Sequence, residues 1–215
     1  MNNDALAQWL LNYGIPALEI IGVMAFATSG LLEAARKKLD IIGMSLVAAM
    51  TAFGGGTVRD LLLDRRPFFW VKNEFYIWGL IVACVLVLFF VGRSKLELTG
   101  RAMQWPDAIG LGIFSASGTQ IALNMQLSPI IAVVMGVLTA IIGGVLRDIV
   151  VNEIPQAFNS HEPYAVIAFV GCWVVVLLNY LELATWLAVL IGASVIIVIR
   201  VIAILRNWKV PAWKA

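Results

Sequence analysis

Long apolar stretches separated by short polar connections run along the whole chain. A bilayer core of roughly 30 Å requires about 20 mostly apolar residues per helical span, and seven stretches approach that length. Open sheet edges are not tolerated in lipid, and no series of alternating segments predicts a barrel. The pattern therefore predicts an all-α polytopic membrane protein with seven transmembrane helices. The spans are expected near residues 15–33, 41–63, 74–92, 105–123, 129–151, 163–180 and 183–205.

Lysine and arginine are unevenly divided between the two sets of connections. Because cytoplasmic loops retain positive residues, the side with nine of them is predicted to be cytoplasmic and the side with three to be outside. An odd number of spans then puts the N-terminus outside and the C-terminus in the cytoplasm. The cytoplasmic set is Arg36, Lys37, Lys38, Arg93, Lys95, Arg101, Arg206, Lys209 and Lys214, and the outer set is Arg65, Arg66 and Lys72.

Three of the cytoplasmic charges, Arg36, Lys37 and Lys38, are consecutive. The simplest interpretation is that they only determine topology. The alternative is a contact with anionic lipid headgroups of the inner leaflet.

An internal repeat with an offset of 88 residues covers the first six spans. Shared hydrophobicity does not align Arg-Asp with Arg-Asp, so the matches indicate a duplication. Three spans per repeat make the second repeat enter the membrane from the opposite side, which predicts a 3+3 inverted repeat. A single membrane domain, 1–215, would hold repeat 1 at 15–92, repeat 2 at 105–180 and an extra helix at 183–205. The aligned pairs include Gly22 with Gly110, Phe26 with Phe114, Thr51 with Thr139, Gly55 with Gly143, Arg59 with Arg147 and Pro67 with Pro155.

Glycine clusters occupy corresponding places in spans two and five. Glycine costs about 1 kcal/mol relative to alanine in a helix interior, and inverted repeats often place an ion or substrate path beside interrupted helices. The clusters are expected to interrupt these helices and line an ion pathway, with close helix packing as the alternative. Gly55→Ala or Gly144→Ala is then expected to reduce conductance more than stability. The candidate pathway residues are Ser29, Thr51, Gly54, Gly55, Gly56, Ser117, Thr139, Gly143 and Gly144.

Charged pairs follow the glycines within one turn, where charge inside a membrane is expensive and usually paired or close to water. Adjacent residues on a helix do not face each other. Each arginine is therefore expected to find its carboxylate on another helix, with Glu19 and Asp107 as candidates. The alternative is that the pairs are purely structural salt bridges. The pairs are Arg59 with Asp60 and Arg147 with Asp148.

The composition and the motifs of the chain argue against several classes of protein. Hydrophobic residues make up 61% of the chain and charged residues 13%, against about 25% charged in soluble domains. The net charge of +2 is spread along the chain, which excludes the clustered basic surface of a nucleic-acid-binding protein. His161 is the only histidine, and no nucleophile elbow, P-loop or paired zinc-ligand motif is present. We therefore expect no catalytic residues, no metal site and no enzyme.

The doubled glycine-rich motif resembles the bacterial branch of the trimeric intracellular cation (TRIC) channel family. The motif reads TAFGGGTVRD at 51–60 and GGVLRD at 143–148, with Ile142 standing where the first copy has Gly54. The resemblance covers nearly the whole chain. It implies a homotrimer in the bacterial inner membrane, with a pore in each protomer lined by glycine-kinked helices two and five. It also implies permeation of potassium and sodium without a further cofactor.

A secondary transporter of a small solute such as glycine is the alternative, because inverted repeats are common among carriers as well. A structural or interaction protein is a third hypothesis. A carrier should saturate and show counterflow, a channel should conduct without a required co-ion, and a structural protein should pass nothing.

Overall fold

A computed structural model describes residues 14–93, 101–158 and 162–209. Within these ranges the protein is entirely helical, with seven long helices and one helical turn, Phe69–Lys72, between the second and third. Of the residues considered above, Lys95, His161, Lys214 and the side chain of Arg93 lie outside this description. The long helices are α1 (Ile15–Arg36), α2 (Ile41–Leu62), α3 (Phe75–Arg93), α4 (Gln104–Asn124), α5 (Pro129–Val150), α6 (Tyr164–Tyr180) and α7 (Thr185–Arg206).

Local signals explain where several helices begin and end. The Asp40 side chain accepts a hydrogen bond from the Gly43 amide at 2.7 Å and so caps α2, as short acidic side chains do at helix N-termini. Proline occupies the first turn of α1 and of α5, where its missing N–H costs nothing. Asn207, with a left-handed φ of 49°, ends α7. The helices therefore differ from the predicted spans by only a few residues at most ends.

Within the described ranges, four helices are long and apolar enough to cross a bilayer, namely α1, α2, α5 and α7, whose most apolar stretches have mean hydropathies of 1.6 to 2.8. Helix α6 and the stretch Phe75–Val87 of α3 are apolar but shorter. Helix α4 is more polar, and 14 of its 21 residues are buried. Because protein rather than lipid surrounds α4, it tolerates Asp107 and Gln120 inside the bundle.

The helices form two groups of three that pack against each other. Helix α1 packs against α2 and α3, α4 packs against α5 and α6, and the groups meet where α1 contacts α4 and α2 contacts α5. Helix α7 lies on α4 and α6. At the α1–α4 contact, Phe26 and Phe114 stack with ring centroids 5.3 Å apart and an interplanar angle of 7°. A Cβ atom on Gly110 would meet the Phe26 ring, so the small residue makes room for this stack.

Candidate functional site

Two buried arginines mark the ends of α2 and α5. Arg59 and Arg147 are each 1% exposed and lie in the last turn of their helices. The carbonyl end of a helix carries a partial negative charge that favours a cation. A buried charge is nevertheless costly unless it is paired and hydrogen-bonded. The partners of each arginine therefore determine how much its burial costs the folded protein.

The first cluster consists of Glu19, Arg59, Asp60 and Tyr76. Nε of Arg59 donates to Oδ1 of Asp60 at 2.9 Å, and Nη1 of Arg59 lies 3.7 Å from Oε1 of Glu19 on α1. The Tyr76 hydroxyl on α3 donates to Oε2 of Glu19 at 2.7 Å. The cluster therefore links α1, α2 and α3 through one network of charged and polar groups.

The second cluster consists of Ser29, Asp107, Arg147 and Asp148. Nε of Arg147 donates to Oδ1 of Asp148 at 2.8 Å. Nη1 of Arg147 donates to Oδ1 of Asp107 at 2.7 Å and to Oγ of Ser29 at 2.6 Å. Because Ser29 lies on α1, this cluster connects the second group of helices to the first.

Each aspartate also fixes the connection that follows its helix. Oδ2 of Asp60 accepts the Phe69 amide at 2.9 Å, and Oδ2 of Asp148 accepts the Gln156 amide at the same distance. Charge-assisted bonds of this kind are about twice as strong as neutral ones. Each of the two carboxylates therefore binds an arginine and also a backbone amide of the connection that follows its helix.

One expectation about these pairs is confirmed and another is wrong. Arg147 reaches Asp107 on a different helix, as expected. The expectation that adjacent residues would not pair is wrong, because Arg59 and Arg147 each bind the aspartate that follows them. The long arginine side chain bends back along its own helix, and a buried carboxylate requires a nearby donor.

The glycine clusters do not interrupt their helices. Helices α2 and α5 are continuous through both clusters, and no glycine of the described residues has a positive φ. A Cβ atom on Gly55 would collide with the carbonyl oxygen of Thr139, and one on Gly143 with that of Thr51. The predicted interruption is therefore wrong: glycine here permits close approach of two helices, and a continuous helix satisfies every backbone group in lipid.

Comparison with known proteins places the chain among bacterial membrane proteins. A family model described as "Glycine transporter" matches residues 16–92 and again residues 104–180. The UPF0126 inner membrane protein YadS of Escherichia coli K12 is 35% identical over 197 residues, which cover 91% of this chain and 94% of that protein. A UPF0126 membrane protein of Vibrio cholerae is 40% identical over 154 residues, which cover 72% of this chain but 64% of that protein.

A solved structure has the same fold. The TRIC trimeric intracellular cation channel orthologue from Rhodobacter sphaeroides matches with a TM-score of 0.82 and 34% identity, covering 90% of this chain and 98% of that chain. The chain belongs to the bacterial branch of the trimeric intracellular cation channel family. This TRIC family member is a membrane protein, as its bacterial relatives are named.

In this TRIC protein, the hydroxyl groups of the candidate pathway residues lie in three different environments. Thr51 and Thr139 donate to the carbonyl oxygens of Val47 and Met135 on their own helices, at 2.7 and 2.5 Å. The Ser29 hydroxyl accepts a hydrogen bond from Nη1 of Arg147. Ser117 is 1% exposed and its Oγ has no hydrogen-bond partner in the described structure. Thr51 and Thr139 thus lie at the α2–α5 contact opposite Gly143 and Gly55, and the candidate hydroxyls are not equivalent.

The candidate lipid contact at Arg36, Lys37 and Lys38 is partly neutralised. Nη2 of Arg36 lies 3.0 Å from Oε1 of Glu153, and Lys37 also pairs with Glu153. These two cations lower the pKa of the Glu153 carboxyl below its ordinary value, the Lys37 hydrogen bond contributing most. Lys38 is exposed and has a left-handed φ of 58°.

Arg200 is a buried charge that the sequence interpretation missed. It is 1% exposed on α7, its Nη2 donates to Oε2 of Glu162 at 2.6 Å, and its guanidinium lies 4.9 Å from the centroid of the Tyr164 ring. The signal was available, because a lone arginine within an apolar span is expensive and usually faces the bundle interior.

One cavity, of about 380 Å³, adjoins the first cluster. Another, of about 500 Å³, is bordered by Gln104, Glu162 and Asn207, and no residue of the second cluster lines it. No group of three or more histidine, cysteine or acidic side chains in the described ranges is arranged to hold a metal ion. The polar lining of the first cavity comprises Glu19, Arg59, Asp60, Arg65, Lys72, Asn73 and Tyr76.

Proposed function

We propose that the protein is a monovalent cation channel with a pathway inside each protomer. The observation that carries this proposal is the likeness to the Rhodobacter sphaeroides channel over nearly the full length of both chains. The pathway would run from the cavity at the first cluster, past the contact between α2 and α5 and past the second cluster, to the cavity bordered by Gln104 and Glu162. Potassium, and also sodium, would be the permeant ions, without a cofactor.

The proposed architecture is seven transmembrane helices arranged as a 3+3 inverted repeat, with 15–92 and 105–180 as the repeats and α7 outside them. Reciprocal contacts support it. Gly55 meets Thr139 while Gly143, 88 residues after Gly55, meets Thr51. A two-fold axis produces contacts of this exchanged kind. The Phe26–Phe114 stack joins two residues that are also 88 apart.

The proposed orientation has the N-terminus outside and the C-terminus in the cytoplasm of a bacterium, across its inner membrane. Contacts between connections assigned to the cytoplasmic side agree with their lying on one side of the membrane, since Arg36 pairs with Glu153 and Arg101 binds Asn207 at 3.0 Å. The excess of lysine and arginine on that side is what assigns it to the cytoplasm. The first cluster then faces outward and the second faces the cytoplasm. Lys38, free of the Glu153 pair, would meet the inner lipid headgroups.

The contact between α2 and α5 is the proposed centre of the pathway. At this contact the Thr139 carbonyl oxygen lies against Gly55 and the Thr51 carbonyl oxygen against Gly143. Carbonyl oxygens can replace part of the hydration shell of a monovalent cation. The buried arginines beyond each end of the contact would keep the cation from binding too tightly to leave.

A homotrimer is the proposed assembly, because the structurally matched channel is named trimeric. Glycine transport is the second candidate function, favoured by the description of the family model. The cavity at the first cluster carries both basic and acidic side chains, which suits a zwitterion as well as a hydrated cation.

Flux into proteoliposomes separates the two functions. We expect potassium uptake that rises with concentration without saturating at low concentration and needs no co-ion, together with no exchange of labelled glycine. Vesicles prepared without protein provide the control for leakage. Saturable glycine counterflow without independent potassium flux would establish the carrier instead, and absence of both would contradict transport altogether.

A further inference from the structure

Gly56 and Gly144 are 88 residues apart but have different surroundings. A Cβ atom on Gly56 would meet only the ring of Phe69 among its nearest neighbours. A Cβ atom on Gly144 would lie 3.5 Å from the Tyr164 hydroxyl, 3.6 Å from Oδ1 of Asp107 and 3.7 Å from Nη2 of Arg147, all polar atoms. The space beside one glycine is filled by a ring, and the space beside the other is bordered by polar groups.

Phe69 is held in this place from several directions. It is 8% exposed and begins the helical turn Phe69–Lys72. Its amide is bound by Asp60, and its ring packs edge-on against Tyr76 and Phe114, with centroids 5.0 and 6.4 Å away. The Arg59 guanidinium lies 5.4 Å from the ring centroid, within range of a cation–π contact. The ring therefore sits between the first cluster and the α2–α5 contact.

The second half of the chain lacks this ring. The residue 88 positions after Phe69 is Ala157. The amide bound by Asp148 belongs to Gln156, one residue earlier than the repeat would place it. The connection after α5 therefore follows a path shifted by one residue. The aromatic residue nearest to Gly144 is Tyr164, at the start of α6, whose hydroxyl borders the glycine.

We propose that Phe69 is an apolar plug that closes the pathway between the first cavity and the α2–α5 contact. The proposal rests on the proposed channel function and adds a specific closing residue to it. Phe69 lines the first cavity, and an apolar constriction blocks ions because water leaves it. The corresponding space in the second half is bordered by the Tyr164 hydroxyl and by charged groups instead of an apolar ring, so the two halves of the pathway are closed unequally.

Single-channel recording of Phe69→Ala, Phe69→Leu and Phe68→Ala in planar bilayers tests the plug. We expect a several-fold rise in open probability or unitary current for Phe69→Ala and a smaller rise for Phe69→Leu, which keeps part of the apolar volume. Phe68→Ala is the matched control and should conduct as the wild type does. Phe68 is adjacent, and its ring lies against Arg66, 4.6 Å from the guanidinium, rather than in the proposed pathway.

Unchanged currents in a folded Phe69→Ala protein would overturn the plug. If that variant does not fold, unchanged currents in Phe69→Leu would overturn it equally. A rise in Phe68→Ala as large as that in Phe69→Ala would also overturn it, because the effect would then not be specific to the ring beside Gly56.

Thermal melts distinguish failure of the plug from failure of the channel. Silent membranes for the wild type and every variant would reject the channel function, while the melts still decide where the ring sits. Gly56→Ala should lower the melting temperature because its Cβ meets the Phe69 ring, and adding Phe69→Ala should cost the Gly56→Ala protein less than it costs the wild type. Independent, additive losses would overturn the placement of the ring.

Discussion

At the scale of single residues, Arg59 and Arg147 hold their distant carboxylates differently. Arg147 is 2.7 Å from Asp107 and is also bonded to Ser29, whereas Arg59 is 3.7 Å from Glu19. Glu19 has a second partner in the Tyr76 hydroxyl. The second cluster therefore depends more strongly on its cross-helix ion pair.

Asp107→Asn should consequently cost more stability than Glu19→Gln. A hydrogen bond to a charged group contributes about 2 kcal/mol, and Asp107→Asn weakens a short one to Arg147. Glu19→Gln changes a longer contact and leaves an acceptor for Tyr76. Denaturation in mild detergent measures both losses, and an equal or larger loss for Glu19→Gln would contradict the geometry.

Gly55→Ala and Gly144→Ala should behave oppositely, which revises the expectation from sequence for Gly55. Gly55→Ala drives a methyl group into the Thr139 carbonyl and should cost about 1–3 kcal/mol through overpacking. Gly144→Ala meets only ordinary contacts, gains about 1 kcal/mol of helix propensity and should reduce conductance by filling polar space. Melting and single-channel recording check the pair. A melting temperature equal to that of the wild type would refute the expected destabilisation by Gly55→Ala. A conductance equal to that of the wild type would refute the expected effect of Gly144→Ala.

The sequence singled out the buried arginines and aspartates at 59–60 and 147–148, because charge stands out within apolar spans and the repeat doubled it, but it did not predict that each arginine binds the aspartate beside it. It could not predict Phe69 as a space-filling residue, since aromatic side chains are common in such a chain and only the distances to Gly56 distinguish it. It also could not separate close packing from helix interruption at Gly55, because both need the same small residue.

At the scale of helices and connections, Glu153 joins the segment after α5 to the end of α1. Its pKa is lowered by Lys37 and Arg36. A lowered carboxyl pKa means that the pair stabilises the fold above the ordinary glutamate pKa of about 4.3, and that this contribution is lost as pH falls through the lowered value.

Glu153→Gln should therefore melt below the wild type at neutral pH, and the difference should vanish in acid once Glu153 is protonated. The effect should be small because the pair is exposed to solvent and screened by salt. Melting temperatures of both proteins across pH test this. A difference that persists below the lowered pKa would show that the charge is not its cause.

Helix α7 is tied to the bundle through Arg200 and Glu162. Arg200 is 1% exposed, whereas the Glu162 side chain is 28% exposed. Removing Glu162 leaves the buried Arg200 charge without its partner, which costs about 3 kcal/mol or more. Removing Arg200 leaves only the partly exposed Glu162 carboxylate, which water can hydrate. Glu162→Gln should therefore destabilise the protein more than Arg200→Met, as measured by denaturation in detergent, and the reverse order would contradict the inferred burial of Arg200.

At the scale of the whole molecule, the proposed two-fold arrangement is combined with local differences between its halves. The helical class follows from sequence because lipid demands that backbone groups be satisfied internally. The burial of α4 could not be predicted from hydropathy alone. Asp107 and Gln120 make α4 less apolar than its neighbours, although it is the helix at the centre of the bundle. Its position depends on contacts with α1, α5, α6 and α7, which hydropathy does not encode.

Reversal-potential measurement on purified wild-type protein in a planar bilayer tests the channel most directly. Under a potassium chloride gradient, we predict discrete currents that reverse near the potassium equilibrium potential and do not change when glycine is added. The carbonyl oxygens at the α2–α5 contact and the carboxylates of the two clusters are the groups that we expect to favour a cation over an anion. Membranes that stay electrically silent while the same preparation exchanges glycine would contradict it.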